Sequence, residues 1–357
     1  MGSPQRKTSF QKTAIVAVVL VTAVSAASLQ NAKKNLVETG RLTGSELVDY
    51  INKAQKLFTA KLSPRFANFP NEIKRRLMGS KYVALPAKYR VNEKTHSDID
   101  DTTIPKSFDS RTNWPECPSL YSIRDQSSCG SCWAVGAVEA MTDRICIASK
   151  GNQKVTISAD DLLSCCDECG FGCDGGYLYD AWSYWVTDGI VTGSNYTSKK
   201  CPKDIYPTNT CEYKCQDGYS ISYNDDKHYG ASVYSVAQDV ATIQKEIMTN
   251  GPVEVAFDVY EDFEHYSSGI YKHTTGDYLG GHAVKMLGWG TQNGTDYWIC
   301  ANSWNSDWGE NGTSRRCSES DFSEFFVVST SAKLNRASLP ENRNDALRIP
   351  YFVGGLK

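Results

Sequence analysis

The sequence predicts an α+β fold with room for two packed lobes. Three observations predict it. A run that opens at Cys132 places Trp133, Val135, Val138, Met141 and Ile145 at spacings of two to four, the pattern of a helix packed on most sides. A second run opens at His282, after two glycines, and alternates through Val284, Met286 and Gly288 as a strand does. From residue 104 onward roughly 250 residues remain, long enough for two lobes. A formal net charge of −3 and a pI near 6.0 leave no basic stripe for nucleic acid.

At the start of the chain, Arg6, Lys7 and Lys12 precede an apolar run over residues 14–24 and the small residues Ser25-Ala26-Ala27. A basic flank, a short apolar core and a small-residue exit describe a secretory signal over residues 1–27. The run falls short of the ~20 apolar residues that a membrane span needs, and no later run is apolar enough to cross one. Residues 28–103 are polar and contain no cysteine. Within them Thr43, Gly44 and Ser45 can cap a helix with Leu47, Val48, Ile51, Ala54, Phe58 and Leu62 on one face, ending before Pro64. A segment with one amphipathic helix buries little core alone, so it is expected to lean on the larger domain. The acidic junction around Asp98, Asp100 and Asp101 suits cleavage, with a mature start near Ile104.

All thirteen cysteines fall between Cys117 and Cys317. Behind a secretory signal that pattern argues for disulfides, although spacing alone cannot give their pairing. An odd cysteine in such a chain is a candidate reactive thiol, and Cys132 is the obvious one. Gln126, Ser127, Ser128 and Gly130 before it are loop and cap residues. A thiol at a helix N-terminus meets unpaired N–H groups and the positive end of the macrodipole, which favour the nucleophilic thiolate. Two rival readings are weaker. A redox Cys129-x-x-Cys132 pair wants a compact βαβ context that is missing here. A zinc site at Cys165, Cys166, Cys169 and Cys173 is awkward because two of them are adjacent and no histidine is near. No cofactor or metal is expected.

Cys129-Gly130-Ser131-Cys132-Trp133, Gly280-Gly281-His282-Ala283-Val284 and Ala301-Asn302-Ser303-Trp304, in that order and spacing, resemble the papain family of cysteine proteases. Pro105-Lys106-Ser107-Phe108-Asp109, Asp226-Lys227-His228-Tyr229-Gly230 and Asn250-Gly251-Pro252-Val253-Glu254 resemble its cathepsin B branch. The resemblance runs from about residue 42 to 312 and implies a papain-like fold, with Cys132 heading the helical lobe and His282 in a β-barrel-like lobe. It also implies roles. Cys132 is the nucleophile, His282 the general base and acid, Asn302 the residue that fixes the imidazole, and Gln126 an oxyanion donor. Trp304 shields the His282–Asn302 bond. Gly175, Gly176 and Gly281 line the path of a substrate backbone, and Ala256 and Ala283 line a side-chain pocket. The implied disulfides are Cys117–Cys146, Cys129–Cys173, Cys165–Cys211, Cys166–Cys169 and Cys201–Cys215. Residues 28–103 become an inhibitory propeptide whose extended part lies along the cleft in the reverse direction to substrate, and residues 104–312 the protease domain. Expected partners are protein and peptide substrates, the propeptide itself and cystatin-like inhibitors. The destination is secreted or lysosomal.

Two stretches depart from the family. Only nine residues, 202–210, separate Cys201 from Cys211, and no histidine occurs from residue 193 through 226. Cathepsin B carries there a long insertion with two histidines that hold a substrate's C-terminal carboxylate. The expectation is an endopeptidase without dipeptide-releasing activity. After Gly312, Thr313-Ser314-Arg315-Arg316-Cys317 shows no apolar alternation, so residues 313–357 are expected to be atypical and to lack a strand of the histidine-bearing lobe. A changed reading frame or splicing would produce such a tail. The alternative function is therefore a catalytically impaired relative that binds peptides or inhibitors. Asn195, Asn293 and Asn311 head glycosylation sequons.

Overall fold

The computed structural model describes residues 42–67, 69–81, 93–193, 210–318 and 326–333. The apolar run at 14–24, the Asn195 sequon, Cys201, the shortened 202–209 stretch and the tail beyond 333 lie outside them. The helices are α1 (Gly44–Ala54), α2 (Pro64–Ala67), α3 (Asn71–Arg76), α4 (Ser110–Asn113), α5 (Cys132–Ala148), α6 (Ala159–Cys165), α7 (Leu178–Thr187), α8 (Val240–Asn250) and α9 (Glu261–Glu264). The strands are β1 (Phe58–Ala60), β2 (Phe108–Asp109), β3 (Tyr229–Ser235), β4 (Val253–Tyr260), β5 (Tyr266–Tyr271), β6 (Tyr278–Gln292), β7 (Thr295–Ala301), β8 (Thr313–Cys317) and β9 (Phe326–Lys333).

Helix α1 buries Leu47 and Ile51, as its spacing predicts, but stops at Ala54. Gln55 ends it: its side-chain oxygen accepts the N–H groups of Leu57 and Phe58. Asn52 then pairs with both the N–H and the C=O of Ala60. These local bonds outcompete another helical turn. Phe58 therefore reaches the core from a strand, and Leu62 is left exposed.

The sheet runs β1-β5-β8-β7-β6-β4-β9-β3, with β2 paired to β6. Strands β5 and β8 run parallel, and the other pairs are antiparallel. One apolar core gathers on this sheet around Val255, Phe257, Trp289 and Trp298, and it takes in Leu47, Ile51, Phe58, Phe66 and Leu77 of the N-terminal segment. The segment does lean on the larger domain, and β1 extends the sheet at β5. A second core surrounds α5 with Trp133, Met141, Leu162, Trp182 and Trp185. Two buried ion pairs pin α5 to its neighbours: Asp143 with Lys285 of β6 at 2.8 Å, and Arg144 with Glu246 of α8 at 2.8 Å.

The expectation that the chain loses a strand after Gly312 is overturned. Residues 313–317 form β8, between β5 and β7, and β9 then joins β3 and β4. The alternation is present but hidden, because the inward positions before Cys317 are Ser314 and Arg316, polar residues that are both buried. A hydropathy pattern cannot show a strand whose buried face is polar.

The structure joins Cys117–Cys146, Cys129–Cys173, Cys165–Cys211 and Cys166–Cys169. Those bonds commit the cysteines that the redox and zinc readings would need. Cys132, Cys300 and Cys317 are free and buried. Among the described residues, no helix is long and apolar enough to cross a membrane.

Candidate active site

Helix α5 begins at Cys132 itself, with Ser131 before it, and every residue from Cys132 to Cys146 is buried. That burial matches the all-round apolar spacing and fixes where its first turn can point. The Cys129–Cys173 bridge ties down the loop that leads into it.

The facing lobe supplies the imidazole. His282 lies on β6 opposite Phe257 of β4 and is wholly buried. Its Nε2 is 2.8 Å from Asn302 Oδ1, and that oxygen also accepts the Ser303 N–H at 2.8 Å. The second bond identifies the oxygen of the amide, so Nε2 must carry the proton and donate it. Nδ1 is left unprotonated and has no hydrogen-bond partner. Trp304 lies over the imidazole, its ring centroid 4.8 Å away, and is itself buried.

Gln126 comes to the same cleft on the loop before α5. Its Nε2 donates to the carbonyls of Leu77 and Cys129, each at 2.9 Å. Ser303 Oγ donates to its Oε1 at 2.6 Å, which sets the amide's orientation. Sequence reasoning passed over Ser303. Its signal was its position, between two residues already singled out. Ser127, beside Gln126, has φ +55, a backbone conformation that glycine adopts more easily.

Residues 77–81 of the N-terminal segment fill the cleft. The Gly79 N–H points at Cys132 Sγ, 3.2 Å away. The Gly176 N–H donates to Gly79 O at 2.8 Å, the Lys81 N–H to Gly176 O at 3.0 Å, and the Ser80 N–H to Gly281 O at 3.0 Å. Ser80 bridges Gly176 in the parallel sense. Gly176 can hold that line only without a side chain, since a Cβ would sit 2.5 Å from the Trp133 ring. Gly175, at φ +104, shapes the turn before it. Gly79 passes so close to Gly130 that a Cβ on it would lie 1.9 Å from the Gly130 carbonyl oxygen. Flanking ion pairs anchor the segment: Lys74 to Glu264 at 2.6 Å, Arg65 to Asp125 at 2.7 Å and Arg76 to Asp174 at 2.9 Å. Ala256 and Ala283 face each other across β4 and β6 and pack into the helical core.

The charges in this closed arrangement differ from the expected low-pKa thiol. Burial pushes the Cys132 thiol up to about 11, against a smaller opposing effect of the Ala283 and Gly79 N–H groups. Burial likewise lowers His282 to about 4, with Asn302 pulling the other way. Covered by the segment, both groups are neutral. A helix N-terminus favours thiolate, but here the loss of water outweighs it.

A thiol at a helix start, a facing imidazole and an amide that fixes its tautomer define a thiol hydrolase held closed by its own N-terminal segment. The chain belongs to the papain family of cysteine proteases, whose family model matches residues 104–330. It is 54% identical over 300 residues to cathepsin B-like cysteine proteinase 6 of Caenorhabditis elegans, covering 77% of this chain and 79% of that protein. It is 48% identical over 304 residues to the gut-specific cysteine proteinase of the same organism, covering 81% of this chain and 90% of the relative. Among solved structures it resembles procathepsin B S9 from Trypanosoma congolense, with a TM-score of 0.72 and 34% identity, covering 82% of this chain and 99% of that one.

Proposed function

We propose that this chain is the zymogen of a cysteine endopeptidase that reaches a secreted or lysosomal compartment. One observation carries the reading. Cys132 and the Gln126 amide both meet a single extended segment, through its Gly79 N–H and Leu77 carbonyl, and the segment's Ser80 N–H bonds to Gly281, next to the His282 that pairs with Asn302. Residues 28–103 act as the propeptide, and residues 77–81 of it occupy the cleft with Ser80 parallel to Gly176. A substrate would take the place of residues 77–81 in the opposite chain direction.

With the propeptide gone, water re-enters the cleft and the burial that keeps both groups neutral is relieved. Cys132 can then give its proton to His282 Nδ1, forming a thiolate–imidazolium pair. The thiolate attacks the scissile carbonyl carbon. The carbonyl electrons move onto oxygen, where Gln126 Nε2 and the Cys132 N–H stabilise the oxyanion. Collapse breaks the C–N bond, and the imidazolium hands its proton to the departing amine. Water, deprotonated by His282, then cleaves the thioester. Asn302 holds the Nε2 proton throughout, as the third member of a triad does. Gly175, Gly176 and Gly281 carry substrate backbone, and Ala256 and Ala283 leave room for a bulky side chain next to them.

Endopeptidase specificity follows from the nine residues between Cys201 and Cys211, which contain no histidine to hold a C-terminal carboxylate. The secretory route is supported by the apolar run at 14–24, by four disulfides, and by sequons at Asn293 and Asn311, both exposed. Strands β8 and β9, which join the sheet, support the active reading over the impaired-relative alternative. The test uses the processed enzyme with two substrates of equal composition. One is internally quenched with both ends blocked, and the other has a free C-terminus and is read by mass for dipeptide loss. Cleavage of the blocked substrate alone is expected. Stepwise release of dipeptides would overturn the specificity, and no cleavage of either would overturn the activity.

A further inference from the structure

An aromatic ring stands at the rim of the cleft, where the mechanism above makes no use of it. Phe171 is 65% exposed, on a short turn that is held firmly. Its N–H donates to Gly175 O at 2.7 Å, the Asp174 N–H to Phe171 O at 3.0 Å, and Trp133 Nε1 of α5 to Gly172 O at 3.2 Å. The Cys129–Cys173 and Cys166–Cys169 bridges flank the turn. A single exposed ring is ordinary on a protein surface, but what covers this one points to a ligand. Lys81 of the N-terminal segment extends over it, its Nζ 5.7 Å from the ring centroid, within the range of a cation–π contact. The lysine stem reaches there across Gly175, where a Cβ would lie 2.7 Å from Lys81 Cε. At the other end of the turn, Asp174 Oδ1 accepts Arg76 Nε at 3.0 Å and Nη2 at 2.9 Å. One turn therefore holds two cations of the segment that fills the cleft, and loses both when that segment leaves.

We propose that Phe171 is a specificity-determining residue, which makes the processed enzyme favour substrates with lysine or arginine third before the scissile bond. The position follows from the register of the propeptide. Gly79 faces the thiol, Ser80 bridges both Gly176 and Gly281, and Lys81 comes next, pointing outward to the ring. A substrate running the opposite way places its first, second and third residues before the bond at those points. The third then crosses Gly175 and meets Phe171. The face of the ring offers a cation negative potential, which an aliphatic side chain cannot use. The Asp174 carboxylate on the same turn, released from Arg76, adds charge of the matching sign. Both groups are exposed, so the preference is modest, about two- to fivefold from the ring.

The test uses the processed enzyme and two blocked, internally quenched peptides that differ only in lysine or norleucine at the third position before the cut. Wild type, F171L and F171W are compared by kcat/KM at equal active-site concentration, titrated by epoxide labelling of Cys132. Wild type should cleave the lysine peptide about two- to fivefold better than the norleucine one. F171L should abolish most of that advantage, and F171W, which keeps an aromatic face, should preserve it. A role in holding the turn alone would change both peptides together and leave their ratio in place. Equal rates on the two peptides in wild type overturn the assignment, as does an unchanged ratio in F171L or a loss in F171W as complete as in F171L. The inference rests on the proposed endopeptidase, whose substrates oppose residues 77–81, and the two fail differently. An enzyme that is not labelled at Cys132 and cleaves neither peptide fails that reading, whereas one that cleaves both alike fails only Phe171.

Discussion

Replacing Gly79 with alanine should open the zymogen without cutting it. The added Cβ would lie 1.9 Å from the Gly130 carbonyl oxygen and 2.5 Å from its carbon, both backbone atoms, so the segment must lift. Lifting breaks the Gly79 N–H contact with Cys132 Sγ and puts three short backbone bonds at risk, between Gly176 and Gly79, Lys81 and Gly176, and Ser80 and Gly281. At about 1 kcal/mol net for each bond, losing two or three of them costs about 2–3 kcal/mol. At 1.4 kcal/mol per decade, the open fraction rises by about 30- to 100-fold. The assay is the rate at which a thiol-reactive epoxide labels Cys132 in the uncut proform at neutral pH, with chain length checked by mass. The anchors at Lys74, Arg65 and Arg76 keep the segment tethered, so the change appears as opening and not as loss of the propeptide. A labelling rate within about threefold of wild type would refute the view that residues 77–81 hold the cleft shut by this close backbone fit.

Acid should open the same form. His282 and His265, both lowered to about 4 by burial, are neutral while the segment is in place, and the Ser63 N–H reaches His265 Nδ1. Freed, each would titrate near its ordinary value of about 6.5 or higher, so the closed form loses stability as pH falls from 6.5 toward 4. Glu264, raised to about 7 by burial in spite of Lys74, acts in reverse: the closed form holds its proton more tightly than the open one above about pH 4.5. Two protons gained on opening against one lost leaves about one, or roughly a tenfold faster labelling per pH unit between 6.5 and 4.5. Glu264→Gln should steepen that slope, and a flat profile would contradict it. Ser303→Ala frees the Gln126 amide and should lower kcat by about tenfold or more with KM little changed, since one oxyanion donor is worth about 3 kcal/mol. Lys285→Met strands Asp143 as a buried charge, and breaking such a pair costs about 3–5 kcal/mol. A fall in Tm of about 6 °C or more in the processed enzyme is expected, and a fall below about 2 °C would count against it.

Legibility in the sequence followed where the physics was local. The packed helix at Cys132 and the strand at His282 were readable because apolar spacing records which faces are buried. Asn302 and Gln126 were reached through motif resemblance, since a lone amide carries no pattern of its own. Helix α1 was overrun because Phe58 and Leu62 keep helical spacing, while the side-chain bonds of Gln55 and Asn52 that stop the helix leave no periodic trace. Strand β8 was missed for the opposite reason, as its buried positions are Ser314 and Arg316. The neutral state of Cys132 and His282 was out of reach of any local reading. It comes from burial, to which residues 77–81, more than fifty positions before Cys132, contribute by meeting Cys132 Sγ and bonding to Gly281 beside His282.

The central claim is that Cys132 and His282 form a working pair once the propeptide leaves. The most direct measurement is active-site labelling of the processed protein at acidic pH with a thiol-reactive epoxide, the adduct located by peptide mass. Stoichiometric modification of Cys132, abolished in His282→Ala, is the predicted result. A folded, processed protein whose Cys132 stays unmodified, or is modified equally without His282, would contradict it.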